Sequence, residues 1–209
     1  LRNPLAHLQI PGIDEKMVSE TPMLWEPLRY LESCPSSDGA CAMVITSEEM
    51  VGSRKVAWIK GMALRSEGTL SAGRDEVNPQ AGIDCAKDIY QQAGIHNPRK
   101  EIDCAEIYVP FSWYEPMWLE NLGFCELGEG WKLTDEGVTR LDGSLPVNMS
   151  GGVLSSNPIG ASGMIRFGEA ALQVMGLAED HQVEDAHIAM GHAYGGAAQF
   201  FAMWIVSSS

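Results

Sequence analysis

Apolar positions fall at helical spacing in two stretches of the chain. In "PQAGIDCAKDIYQQAGI" (79–95), Ile83, Ala86, Ile89, Tyr90 and Ala93 share a face, Pro79 sits early and Gly94 closes the run. From about Ala161 to Met175, Met164, Ile165, Ala171, Leu172 and Met175 line one side. Both are predicted helices. "SWYEPMWLENLGF" (112–124) reads as a third, with Ser112 as N-cap and Pro116 limiting how far back it begins. Short apolar runs predict strands in "CAMVITSEEM", "KVAWIKGMALRSEGT" and "IDCAEIYVPF", the last leaving its ladder at Pro110. "DAHIAMGHAYGGAAQFFAMWIVSSS" predicts two more, joined by a tight Gly195-Gly196 turn.

Residues 125–148 are polar and turn-rich, hence loop. The first forty residues are dense in proline, with only a short helical pattern around Leu24–Leu31 and little core of their own; they are expected to lie on another surface. The order β, β, α, β, α, α, β, β describes an α/β fold, a five-stranded mixed sheet flanked by helices.

A chain of 209 residues with 45% hydrophobic content can bury one sizeable core. Its formal charge of −14 repels phosphate backbones and anionic bilayers, which disfavours nucleic-acid and membrane-surface roles and leaves a neutral or locally guided ligand. No apolar run approaches a bilayer span and no signal peptide is visible, so a cytoplasmic setting is expected. Cys34, Cys41, Cys85, Cys104 and Cys125 are widely spaced, mostly inside apolar segments with no CxxC pair, and read as reduced, buried thiols. The five histidines lack ligand spacing, so no metal site is expected. Opening on Leu1 rather than Met, the chain reads as a processed piece or half of something larger.

Two glycine-rich places carry candidate chemistry: "SSNPIGASG" before the last helix and "GHAYGG" between the last two strands. Each has a packing explanation, since small residues permit close approach and a double glycine makes a hairpin. Backbone amides at a helix start are also suited to an anion or developing oxyanion. "GASG" is neither GxGxxG nor a Walker loop, so nucleotide binding is weakly supported.

In sequence order, "DGACAMVITSEE", "IDCAEIYVPFSWYEPMWLENLGF", "NMSGGVLSSNPIGASGMIRFGEAALQVMG" and "GHAYGGAAQFFAMWIV" resemble the C-terminal half of the thiolase superfamily. The resemblance covers residues 35–209, and residues 1–34 resemble the tail of that family's loop domain. The N-terminal half, which in true thiolases carries the nucleophilic cysteine, is absent from this chain. A thiolase-like fold is implied, as a C-terminal lobe that exposes a large apolar face, and so is a homodimer core.

The catalytic blocks depart from the thiolase pattern. Where a thiolase has its Gly-His-Pro histidine this chain has Asn157; Tyr114-Glu115 matches the family's Asn-Glu pair, and His192-Ala193-Tyr194 stands near the terminal cysteine. An amide cannot activate a thiol. A retro-aldol cleavage of a β-hydroxyacyl thioester needs no nucleophile, only proton transfers and a donor for the thioester oxygen. Tyrosine serves such transfers when its phenol, ordinarily near ~10, is lowered locally.

These substitutions resemble the thiolase-like aldolases of bacterial sterol side-chain degradation, often labelled lipid-transfer proteins. That resemblance implies cleavage of a 17-hydroxy steroid side-chain CoA thioester to a 17-keto steroid and propionyl-CoA. It also implies an OB-fold and zinc-ribbon partner, often attached to an enoyl-CoA hydratase, and no cofactor beyond the CoA of the substrate. Carried onto this sequence, the catalytic candidates are Tyr194, Tyr114, His192 and Asn157; Gly160, Ser162, Gly195 and Gly196 are candidates for binding substrate. Tyr194 is expected to reach toward the loop at Asn157. The Met and Trp of "WYEPMW" and "FFAMW" read as core or dimer surface rather than a sterol pocket. The alternatives are a thiolase-like acyltransferase, whose cysteine would lie in the absent half, and a non-catalytic lipid or acyl-CoA carrier.

Overall fold

The computed structural model describes residues 2–209. Helix α1 (Glu15–Ser19) and strands β1 (Met23–Trp25) and β2 (Leu28–Arg29) precede the main layers. These follow as β3 (Trp58–Ser66), α2 (Gln80–Ala93), α3 (Pro98–Glu101), β4 (Cys104–Ile107), α4 (Tyr114–Asn121), α5 (Gly130–Asp135), α6 (Gly152–Ser155), α7 (Ser162–Met175), β5 (Ile188–Gly195) and β6 (Phe200–Ser207). The main sheet runs β3-β6-β5-β4, antiparallel except for the parallel pair β4–β5. In that pair Ile107 lies opposite His192, so both strands deliver their C-terminal ends to the same edge.

Strand alternation sorts the core into two layers. From β6, Phe201, Met203 and Ile205 join Ile89 and Cys85 of α2 on one face. Trp204 and Val206 meet Ala170 and Val174 of α7 on the other. Gly191 makes this packing possible: a Cβ there would lie 1.8 Å from the indole Nε1 of Trp204. Helix α7 stops at Gly176, whose left-handed backbone (φ 64°) closes the last turn. A buried ion pair ties the α7 layer to the sheet, Arg166 bonding both Glu106 on β4 and the Ser150 hydroxyl (2.8 Å).

Several expectations need correction. "CAMVITSEEM" is not a buried strand: residues 41–47 have no ladder partner among the described residues, and Val44 and Ile45 are 95% and 76% exposed. This segment borders an apolar groove of about 890 Å³ with Ile59, Phe167 and Leu172. An apolar run shows that a cover is needed, not which element supplies it. The sheet therefore has four strands, extended by a single parallel bridge from Ala105 to Val147. The Leu24–Leu31 pattern forms the β1–β2 hairpin instead of a helix, because Pro27 in its middle cannot donate to a helical turn.

The predicted 125–148 loop contains α5, whose first turn nests against α4; a Cβ on Gly130 would lie 2.1 Å from the Pro116 carbonyl oxygen. The last hairpin is not a two-residue turn. Residues 196–199 connect the strands, Gly196, Ala197 and Ala198 all take positive φ, and Arg74 donates to the Ala198 carbonyl (2.8 Å) and to that of Ala197. The exposed apolar face expected of a lone lobe is present, in Val44, Ile45, Met50, Ile59, Met62 and Leu64.

Candidate active site

The C-terminal ends of β4 and β5 and the loop before α7 converge, and there the polar side chains collect. Tyr108 is the first residue past β4 and Tyr194 the seventh of β5. Their rings meet edge to face at 5.2 Å. The turn "NPIG" is held by bonds from the Ile159 amide to the Asn157 carbonyl and from the Ala161 amide to the Pro158 carbonyl, so the chain turns directly into α7. Asn157 is thereby buried at the foot of the helix.

The Asn157 side chain is fixed on every side. Its Oδ1 accepts from the Tyr108 hydroxyl (2.9 Å) and the Ser162 hydroxyl (2.8 Å), while its backbone N–H donates to Ser37 Oγ (3.1 Å). Its Nδ2 donates only to Cys34 Sγ (3.1 Å), a weak acceptor. With the carbonyl oxygen already holding two hydroxyls, the NH₂ group is the part of the side chain with donor capacity left. The N-terminal segment braces this loop: His7 N–H donates to Ser156 Oγ (2.6 Å), and Leu8 N–H to the Ser155 carbonyl (2.9 Å).

The Tyr194 phenol is not lowered as expected. Burial pushes Tyr194 far above its ordinary range, and the neighbouring Tyr114 phenol adds to it. Burial also raises Tyr108. Both are neutral donors near pH 7 rather than ready phenolates. Burial pushes His192 down to about 3. Its neutral ring lies 5.1 Å from Trp118, and its Nδ1 accepts from the Tyr108 N–H (3.3 Å), which supports the backbone under that tyrosine.

The predicted residues are thus brought together unevenly. Tyr194 reaches Asn157 through Tyr108, which sequence reasoning missed. Tyr114 stacks on Tyr194 (centroids 5.5 Å), but Glu115 turns away and accepts from Thr134 (2.9 Å) and Thr139 (3.1 Å). Ser112 does not cap α4; its hydroxyl donates to Glu32 Oε1 (2.9 Å) and Trp113 occupies the helix entry. Ser162 is buried, and its hydroxyl donates to Asn157 Oδ1 and orients that amide. Gly160 has open space around it at φ 96°, Gly195 ends β5 one residue after Tyr194, and Gly196 opens the hairpin turn. Cys34, also missed, is carried in by the bond from its N–H to the Pro110 carbonyl (2.8 Å). All five cysteines are free thiols, but only Cys85 and Cys104 are buried; Cys34, Cys41 and Cys125 are partly exposed, against the expectation. A signal for Tyr108 existed: a phenol at the exit of a buried strand, two residues before a proline.

Comparison with known proteins gives the class that this fold and site define. Residues 65–208 match the family described as thiolase C-terminal domain-like, and the chain belongs to that family. It is 33% identical over 210 residues to an acetyl-CoA acetyltransferase of Methanothermobacter thermautotrophicus, covering 98% of this chain and 54% of the relative. It is 30% identical over 205 residues to human sterol carrier protein 2, covering 93% and 37%. Among solved structures it resembles the Ltp2-ChsH2(DUF35) aldolase with a TM-score of 0.84 at 25% identity, over 99% of this chain and 54% of that one. The chain thus spans about half the length, or less, of these relatives. No helix among the described residues is long and apolar enough to cross a membrane.

Proposed function

We propose that this lobe forms part of an acyl-CoA retro-aldolase, a carbon-carbon lyase acting on a 17-hydroxy steroid side-chain CoA thioester. The observation that carries the reading is the environment of Asn157: an amide locked by two hydroxyls, with Tyr108 and Tyr194, whose phenols burial raises, beside it and His192 held neutral by burial. Such a site suits stabilisation of a thioester enolate and proton delivery to it. In the reaction the substrate hydroxyl loses its proton and the carbon-carbon bond breaks to leave a ketone. The electron pair moves into the thioester enolate, and protonation at its α-carbon gives propionyl-CoA.

Asn157 Nδ2 holds the enolate oxygen. The stacked Tyr194 and Tyr114 pass the proton, one accepting as the other donates, so that no free phenolate is required. His192 and Ser162 position Tyr108 and Asn157. The reaction uses no cofactor besides substrate CoA. The absent half, a second copy, and an OB-fold and zinc-ribbon partner of the kind suggested by the Ltp2-ChsH2(DUF35) likeness complete the assembly.

The full-length protein with its partner, given the hydroxyacyl thioester and no free CoA, releases equal amounts of ketone and propionyl-CoA, and Tyr194→Phe lowers that rate at least ~100-fold. Release that requires added CoA overturns the reading. A second reading is favoured by one observation: Cys34 Sγ lies in the site against Asn157, and a thiol there is the type of group an acyltransferase uses.

A further inference from the structure

The aromatic cluster extends beyond the polar groups. From Phe201 in the core, Tyr194, Tyr114 and Trp113 follow ring on ring, with centroid separations of 6.3, 5.5 and 3.9 Å and interplanar angles of 28°, 22° and 29°. The inner rings are packed, but Trp113 is 50% exposed. Its stack on Tyr114 is the tightest ring contact of the series, and Tyr114 is the ring that stacks on Tyr194.

The backbone leading into this outer ring is also firmly placed. The preceding Ser112 is bonded twice to Glu32, through its N–H to the carbonyl (2.9 Å) and through its hydroxyl to Oε1 (2.9 Å). Phe111, one residue earlier, bridges to Ser33. Trp131 is comparably exposed at 57% but makes no ring contact among the described residues. The other Met and Trp of the "WYEPMW" and "FFAMW" segments, Met117, Trp118, Met203 and Trp204, are buried, whereas Trp113 is at the surface, which the core-or-dimer-surface reading of those segments also allows.

We infer that Trp113 is a specificity-determining platform: its open side receives the flat, fused-ring part of the acyl group while the thioester lies at Asn157. The inference rests on the aldolase reading for its substrate class and deepens it by naming the residue that selects a polycyclic acyl group over an acyclic one. A planar apolar ligand gains both buried area and stacking from an exposed indole that stacks on Tyr114, whereas a thin acyl chain covers little of it. The acidic chain offers the same charge environment to every acyl-CoA, so charge does not separate these ligands.

The test is binding to the full-length protein with its partner, using saturated acyl-CoA thioesters that lack the β-hydroxyl and cannot be cleaved. One carries a tetracyclic steroid acid and the other a branched acyclic acid. Trp113→Ala weakens the tetracyclic ligand about tenfold and the acyclic one less than about twofold, and Trp113→Phe recovers most of the loss. Equal weakening of both ligands, or of neither, overturns the platform. A wild-type preference that depends on Trp113, in a protein that fails to cleave the hydroxylated ester, leaves the platform standing and removes the aldolase reading. Cleavage with a preference unaffected at Trp113 does the reverse.

Discussion

Asn157→Asp separates the two faces of the central amide. The carboxyl keeps an acceptor for the Tyr108 and Ser162 hydroxyls, now 2.9 and 2.8 Å from Oδ1, and removes the NH₂ that faces Cys34. Loss of one preorganised donor to a developing oxyanion costs about 2.7–4 kcal/mol, or roughly 10²–10³ in kcat. Asn157→Ala also removes the acceptor and leaves two hydroxyls unpaired, at about 1–3 kcal/mol each, so it should destabilise the fold as well. The assay pairs kcat for the hydroxyacyl thioester with the urea midpoint of the full-length protein. The expected pattern is a large loss of kcat in both variants and the larger loss of stability in Asn157→Ala. An Asn157→Asp enzyme within about twofold of wild-type kcat would refute the assignment of Nδ2 to the reacting oxygen.

Two further predictions concern the scaffold. Between about pH 6.5 and 3 the unfolded chain carries a proton on His192 that the folded chain excludes, so stability falls with acidification by up to about 1.4 kcal/mol per pH unit. Urea midpoints at pH 6 and pH 5 should differ less in His192→Phe than in wild type; identical pH slopes would mean that the imidazole is not held neutral. Arg166→Ala leaves Glu106 buried without its cation and should cost about 3–5 kcal/mol, and full retention of the melting temperature would contradict the pair.

How much of this was legible in the sequence follows from what each signal measures. Helical spacing and terminal glycines located α2 and α7, because an amphipathic face and a left-handed cap are local properties. The apolar run at 41–47 misled because burial depends on what covers a segment, and its cover is not among the described residues. Ordered blocks of residues identified the family and pointed to Asn157 and Tyr194 as candidates. Register decided the rest: the parallel β4–β5 pair brings Tyr108 beside them, a long-range fact that linear spacing does not contain. The direction of the tyrosine shifts was also hidden, since it depends on desolvation by residues far along the chain.

The central claim is that this site cleaves by proton transfer without a covalent acyl-enzyme. Intact-protein mass spectrometry of the full-length enzyme with its partner, quenched during turnover in D₂O, tests it together with analysis of the released thioester. The account predicts unmodified protein, including at Cys34, and one solvent deuterium on the α-carbon of propionyl-CoA. An acyl adduct on a cysteine that forms and decays at the rate of turnover would contradict it and establish acyl transfer in its place.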